Sequence, residues 1–249
     1  MKIRHLFCIA AVAAAFTPAL AQSAAEEGGF AKANAAYSDG RFEEAAAGYE
    51  SLVHEGRLHA NLFYDLGNAW YRLGNFGKAV LNYQRALALE PRHPEADANL
   101  RLARDEGRAL ELRMTAAERY ARFATTKQYT VAAAAGLWLA IFLAVHHYFS
   151  RRRSTGRMAL AALGLIVAGV SIFGIVTLED GIRGDSLAVV TGKQTEARLA
   201  TADNAKSILV LPPGSEVKIL SERGDWIYAT LPNDQRGWIA ASAVERVRM

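Results

Sequence analysis

A spacing of 34 residues between matching landmarks is the feature of this chain that most constrains its fold. The later copy consists of Tyr71, Gly74, Phe76, Ala79 and Tyr83, and the earlier copy consists of Tyr37, Gly40, Phe42, Ala45 and Tyr49. A fixed period of this length is the signature of a stacked helical repeat. Because each unit of such a repeat leaves an apolar face uncovered, we expect the copies to pack against one another.

Residues 60–91 have the pattern of two helices joined by a tight turn. Small residues such as Gly67 and Ala79 allow two helices to approach closely, and the aromatic residues at helical spacing fill the space between them. Gly74 is expected to end the first helix, and Pro91 stands where the second helix must stop. The alternative is an ordinary helical hairpin without a period.

This segment resembles the tetratricopeptide repeat, and we expect a domain of such repeats over residues 22–113. The resemblance implies a concave surface, lined by the first helix of each pair, that binds another protein. The residues it implicates are Asn34, Tyr37, Tyr64, Asn68, Tyr71 and Arg72. The two asparagines can donate to and accept from a peptide backbone, although a helix-packing role is equally open for Asn68. Phe30 and Glu95 stand where some repeat families have carboxylate-clamping lysines, so carboxylate clamping is not expected.

The stretch that follows the repeat is expected to close the stack with one more helix. Leu100, Ala103, Leu110 and Met114 are expected to share one side of that helix, and a coiled-coil dimer is the alternative. Thr115 and Glu118 form a capping box that begins a short helix in the juxtamembrane region, residues 114–129. This short helix either rests on a lipid surface or is a solvated linker.

The N-terminus has the composition of a cleaved export signal over residues 1–21. It has a basic start, a short apolar run and small residues before the expected cleavage site, with an uncleaved anchor as the alternative. Cys8, the only cysteine, lies inside this signal. The mature protein would therefore contain neither a thiol nor a disulfide.

Two segments, 130–149 and 158–178, contain no Asp, Glu, Lys or Arg, and each is about as long as a helix that crosses a bilayer. The arginine-rich connection at 150–157 is expected to remain in the cytoplasm. Basic residues also precede the first span, so the distribution of positive charge alone does not decide the orientation of that span. Cleavage of the signal would place both soluble parts outside the cytoplasm. The chain is therefore expected to be a multidomain membrane protein of the bacterial inner membrane, with two spans and with its N-terminal and C-terminal domains in the periplasm.

Residues 185–249 change to short β-rich runs separated by turn residues, which predicts a small all-β barrel or sandwich. This pattern resembles bacterial SH3-like domains, and the possible ligand face comprises Trp226, Tyr228 and Trp238. Trp226 and Tyr228 alternate with Ile227 and so share a face, for which we expect the core rather than a binding surface. The acidic-aromatic opening motif of eukaryotic SH3 domains is missing, so recognition of Pro-rich ligands is not expected.

The order of signal, repeats, membrane hairpin and SH3-like barrel resembles the BatE family of the bacterial aerotolerance operon. The resemblance implies von Willebrand A domain membrane proteins and a MoxR-type ATPase as partners. The leading hypothesis is a non-enzymatic adaptor that assembles protein partners at the membrane. The alternative is a membrane protein that senses peptidoglycan through its SH3-like domain.

The sequence offers little to support other functional classes. His54, His59 and His93 lack the spacing of metal ligands, and neither a nucleophile elbow nor a phosphate-binding loop is present. We therefore expect no enzymatic activity, no cofactor and no metal. The net charge is +4, but the arginines are spread along the chain, so nucleic-acid binding is not expected.

Overall fold

The computed structural model describes residues 28–150, 154–180 and 184–249. The predicted signal peptide and residues 151–153 of the predicted cytoplasmic loop lie outside the described residues. The chain forms two compact units, of which the first includes the described residues up to Ala109 and the second includes most residues from Leu110 onward. The first is mainly helical, and the second contains two long apolar helices and an antiparallel sheet.

The described helices of the first unit are α1 over 28–38, α2 (Phe42–His54), α3 (Ala60–Arg72), α4 (Phe76–Leu89) and α5 (Pro94–Gly107). Tight turns separate α1 from α2 and α3 from α4. Gly40 and Gly74 occupy equivalent places in these turns, with φ angles of 78° and 71°. Only glycine adopts this left-handed conformation without steric cost, so the predicted helix end at Gly74 is confirmed and recurs at Gly40.

The core of the first unit depends on small residues that bring helices close together. Ala33, Ala36 and Ala45 are buried in a cluster with Tyr49. In the second copy, a Cβ on Gly67 would lie only 2.7 Å from the ring of Tyr83. The predicted combination of small residues with large aromatic residues is therefore the packing observed.

The second unit begins with a short helix and a long helical hairpin, namely α6 (Ala116–Ala121), α7 (Thr126–Phe149) and α8 (Thr155–Asp180). The prediction that the closing helix extends to Leu110 and Met114 is wrong, because α5 ends at Gly107, where Arg108 takes a left-handed conformation. The predicted capping box at Thr115 and Glu118 is present. Both α7 and α8 are long and apolar enough to cross a membrane, and most of their apolar surface is not covered by protein. They pack against each other along much of their length.

Small residues form the contact between α7 and α8. A Cβ on Gly136 would lie 2.6 Å from the carbonyl oxygen of Gly164, and Ala140 and Ala168 are buried beside them. By contrast, a Cβ on Gly169 would meet open space. Small residues let two apolar helices approach closely enough for backbone contact, which is the usual basis of helix association in lipid.

The sheet comprises β1 (Leu187–Val190), β2 (Thr195–Arg198), β3 (Ser207–Leu211), β4 (Glu216–Arg223), β5 (Trp226–Thr230), β6 (Arg236–Ala240) and β7 (Val244–Arg246). Neighbouring strands are antiparallel, in the order β3-β2-β6-β5-β4-β1-β7. The sheet curves, since one buried cluster draws residues from every one of these strands. It is open, however, because the described edges β3 and β7 do not pair, and the three residues of β7 offer little backbone for closure. The predicted all-β structure of residues 185–249 is confirmed, and its strands are antiparallel, but the predicted barrel is not closed.

Candidate functional site

The first helices of the repeats supply most of a small concave site, which we call the repeat groove. It is a cavity of about 120 Å³ lined by Tyr37, Asn68, Tyr71, Tyr83, Asn99 and Leu102. These side chains come from α1, α3, α4 and α5. Three of the six predicted binding residues, Tyr37, Asn68 and Tyr71, are therefore brought together.

The two groove tyrosines at equivalent repeat positions are held in the same way. The ring of Tyr37 meets that of Phe42 edge-on, with centroids 5.2 Å apart. The ring of Tyr71 meets that of Phe76 in the same manner, with centroids 5.7 Å apart. Because edge-to-face aromatic pairs have a preferred geometry, each phenylalanine fixes the tyrosine that the groove presents.

The two predicted asparagines serve helix packing. The Tyr49 hydroxyl donates to Asn34 Oδ1 at 2.6 Å, and the Tyr83 hydroxyl donates to Asn68 Oδ1 at 2.8 Å. Burial raises the pKa of both tyrosine hydroxyls far above the ordinary value, so they remain protonated donors. Asn99 Nδ2 also donates to Asn68 Oδ1, at 2.9 Å. The packing alternative is thus realised for Asn68, although this side chain also faces the repeat groove.

The remaining two predicted residues lie outside the repeat groove. The Arg72 guanidinium carbon stands 4.5 Å from the centroid of the Phe42 ring, so this cation rests on an aromatic face of the preceding copy. Tyr64 lines a larger cavity of about 640 Å³, which we call the acidic cavity. Its lining consists of Phe30, Asn61, Tyr64, Asp65, Glu90, His93, Pro94 and Glu95.

The acidic cavity combines aromatic rings with carboxylates. The rings of Tyr64 and His93 lie 5.0 Å apart, and burial raises the pKa of Asp65 to about 6, with His93 acting in the opposite direction. Within the described part of the chain, the Asp65 carboxyl has no hydrogen-bond or ion-pair partner. A half-buried carboxylate without such a partner is costly to keep ionised, which is the physical cause of the raised pKa.

Two histidines that the sequence left without a role cap helices. His59 Nδ1 accepts from Leu62 N at 3.1 Å at the start of α3, and His93 Nδ1 accepts from Ala96 N at 3.3 Å at the start of α5. Burial lowers the pKa of His59, which favours the neutral imidazole that can accept this bond. His59 and His93 are 34 residues apart, so the repeat period itself was the signal that could have identified them.

The period also identifies one of the groove residues that sequence reasoning missed. Leu102 stands 34 residues after the predicted groove residue Asn68. The helix predicted to close the stack is therefore equivalent in register to α1 and α3, and it lines the same groove. Asn99 stands 34 residues after Asp65, which is not a predicted groove residue, so the comparison would not have added Asn99.

The predicted ligand face of the sheet lies on the side opposite the core. Ile227 and Ile239 are buried, whereas Trp226, Tyr228 and Trp238 are half-buried on the other side. Tyr228 and Trp238 pair across β5 and β6 with ring centroids 4.9 Å apart. The expectation that Trp226 and Tyr228 lie in the core is wrong, because the alternation along β5 turns Ile227 inward. We call these three residues the aromatic face.

Comparison with known proteins bears on the repeat. The family described as "Tetratricopeptide repeat" matches residues 60–93. No curated protein matches the chain. Among the described residues, no group of three or more His, Cys, Asp or Glu side chains is arranged to hold a metal ion. The matched residues cover α3, α4 and the turn that follows, so the chain contains a tetratricopeptide repeat, a module that generally mediates contact between proteins.

Proposed function

We propose that this protein is a non-enzymatic adaptor that is held in the bacterial inner membrane and assembles protein partners through its repeat groove. The observation that carries the proposal is the convergence of Tyr71, which lies in the matched tetratricopeptide repeat, with Tyr37 and Leu102 from the flanking helices on one concave cavity. Aromatic side chains held by neighbouring rings offer large contact area with little loss of conformational entropy. Such a surface suits a peptide segment of another protein.

The two apolar helices support membrane anchoring. Their exposed faces carry large apolar side chains such as Trp138 and Phe142 on α7 and Ile166 on α8. In water these side chains would form an apolar patch far larger than soluble monomers expose, whereas lipid accommodates them. We propose that the arginine-rich connection stays in the cytoplasm and that both soluble parts face the periplasm. Alkaline phosphatase fused after Met249 should then be active, and activity only of a cytoplasmic reporter would contradict this topology.

We further propose that the partners are those that the BatE resemblance implies, namely von Willebrand A domain membrane proteins and a MoxR-type ATPase of an aerotolerance complex. The resemblance includes an SH3-like assignment for the C-terminal sheet, which the alternating strands and the aromatic face favour. A crosslinking pull-down of the intact chain in mild detergent tests the proposal. Recovery of a von Willebrand A protein or of the ATPase is the expected result.

The role of the groove is tested by a pair of leucine variants in the same pull-down. Leu102 lines the repeat groove and is 47% exposed, whereas Leu89 at the end of α4 is 50% exposed and lines neither cavity. Replacing an exposed leucine by arginine leaves the helix intact but puts a charge on its surface. We therefore expect Leu102→Arg to abolish recovery and Leu89→Arg to leave it unchanged. Equal recovery with both variants would contradict groove binding.

A second candidate function, peptidoglycan sensing, is favoured by the aromatic face. Tyr228 and Trp238 pair on the side of the sheet opposite the core, where both remain half-exposed and can contact a ligand. Sedimentation with purified sacculi that is lost on Trp238→Ala would support this function. Absence of sedimentation by the wild-type chain would remove it.

The non-enzymatic part of the proposal has its own test. The purified chain should release no muropeptides from sacculi, and its addition should not change the rate at which an added hydrolase releases them. Release of muropeptides by the purified chain alone would overturn this part of the proposal.

A further inference from the structure

We propose that the acidic cavity accepts a lysine or arginine side chain of the protein whose segment lies in the repeat groove. This inference names the partner's chemistry and rests on the proposed adaptor function. The proposed occupant is a basic side chain of a partner protein. The two alternative occupants, a second copy of this chain and a free polyamine, are distinguished from it by the test.

The two cavities are adjacent along α3. Tyr64 lines the acidic cavity and Asn68, one helical turn later, lines the repeat groove. Asn99 Nδ2 bridges them, at 3.4 Å from the Tyr64 hydroxyl and 2.9 Å from Asn68 Oδ1. One helical turn is about 5.4 Å, which an extended peptide spans in about two residues. A segment that crosses the repeat groove can therefore reach the acidic cavity with a nearby side chain.

The charge of the acidic cavity selects a cation. Its lining includes the carboxylates of Asp65, Glu90 and Glu95, and none of the described lining residues is a lysine or arginine. Because His93 Nδ1 accepts from Ala96 N, it donates no hydrogen bond to Glu95 Oε2, which lies 3.1 Å away. Asp65 has no hydrogen-bond or ion-pair partner within the described residues. A cation placed beside Asp65 would favour its ionised form and offset the cost of burying it. A partner carboxylate in the same place would meet repulsion from all three groups.

The aromatic walls suit the shape of such a side chain. Phe30 and His59 have ring centroids 5.6 Å apart, and Tyr64 and His93 pair at 5.0 Å, so the rings are held in place by neighbours. Guanidinium and ammonium groups are attracted to aromatic faces, and the apolar stem of either side chain can lie along the rings. The cavity volume of about 640 Å³ falls in the range of roughly 300–1,000 Å³ that is typical of ligand sites.

The test uses the full chain in lipid nanodiscs and three nonapeptide libraries whose central residue is fixed as Arg, Gln or Glu. We expect retention of the Arg library to exceed that of the Glu library by at least tenfold. The double variant Asp65→Asn, Glu90→Gln should reduce this preference about tenfold. A double variant with Asp65→Glu and Glu90→Gln keeps a carboxylate at position 65 and should retain part of the preference. The matched control is Glu43→Gln, which removes one exposed carboxylate of α2 and should change nothing.

Several outcomes would overturn the inference. These are an absent preference for Arg, a preference that survives the double variant, or saturable binding of spermidine with no retention of the Arg library. A covalent dimer formed from a photoreactive residue at the cavity position Asn61 would identify a second copy as the occupant and would also overturn it. If the pull-down through Leu102 still recovers a partner in any of these cases, the adaptor function stands and only the basic-residue specificity fails. If the pull-down recovers nothing as well, both fail.

Discussion

Neutralising Asp65 should stabilise the repeats at neutral pH and have little effect at pH 4. The side chain is half-buried, and burial raises its pKa from the ordinary 3.8 to about 6. A carboxyl whose folded pKa is raised binds its proton more tightly in the folded state than in the unfolded state. The stability it contributes is therefore present at low pH and is lost as the pH rises from about 4 to about 6. Asp65→Asn removes the ionisable group, so the variant does not lose this stability as the pH rises.

The magnitude follows from the shift in the Asp65 pKa. A change of roughly 2 units corresponds to about 3 kcal/mol at about 1.4 kcal/mol per unit, which is an upper bound. Because part of the carboxyl remains in contact with water, solvent screening reduces the effect to roughly 1–2 kcal/mol. We therefore expect Asp65→Asn to raise the free energy of unfolding of α3 by that amount at pH 7.5.

The assay is hydrogen exchange followed by mass spectrometry on peptides from α3 and α4, with the full chain in nanodiscs. The variant and the wild type are compared at each pH, so that contributions from groups unaffected by the substitution cancel. Glu43→Gln is the control for loss of one negative charge. An equal gain in the free energy of unfolding at pH 4 and pH 7.5, or a lower free energy of unfolding at pH 7.5, would contradict this role of Asp65.

Three further substitutions and one control substitution test the packing. Gly67→Ala would place a Cβ 2.7 Å from the ring of Tyr83 and should cost about 1–3 kcal/mol by the same exchange assay, and an unchanged stability would contradict the observed contact. Tyr83→Phe removes the hydroxyl that donates to Asn68 and should cost about 0.5–1.5 kcal/mol in that assay. In detergent, Gly136→Ala should lower the fraction of SDS at which the hairpin unfolds, because its Cβ would lie 2.6 Å from a backbone oxygen of α8. Gly169→Ala meets open space and should leave that fraction unchanged, so equal effects would contradict the proposed seam.

The helical part of the fold could be predicted from the sequence because its signals are local and periodic. Gly74 could be assigned to a helix end because the turn after α3 requires a left-handed residue, which glycine supplies. The Thr115 capping box could be recognised from the spacing of Thr115 and Glu118 alone. Strand number and closure were harder to predict, because pairing depends on contacts between residues that are distant in sequence. The three residues of β7 leave the sheet open, and no local pattern indicates that.

The candidate site could be predicted only in part. Tyr37 and Tyr71 are identifiable because the period marks them, whereas Arg72 is not a groove residue because its guanidinium rests on the Phe42 ring. Along β5 the sequence showed that Trp226 and Tyr228 share a face, but which face is buried depends on the opposing strands. The aromatic residues were favoured for the core, yet the smaller Ile227 occupies it.

We propose that the repeat groove binds a partner protein at the membrane. The most direct measurement places a photoreactive amino acid at Leu102 or at Leu89 of the intact chain and identifies the crosslinked products in living cells. If the groove binds the partner, we expect a crosslink from position 102 to a von Willebrand A domain protein or to the MoxR-type ATPase, and none from position 89. Identical products from both positions, or a partner crosslinked only from position 89, would contradict it.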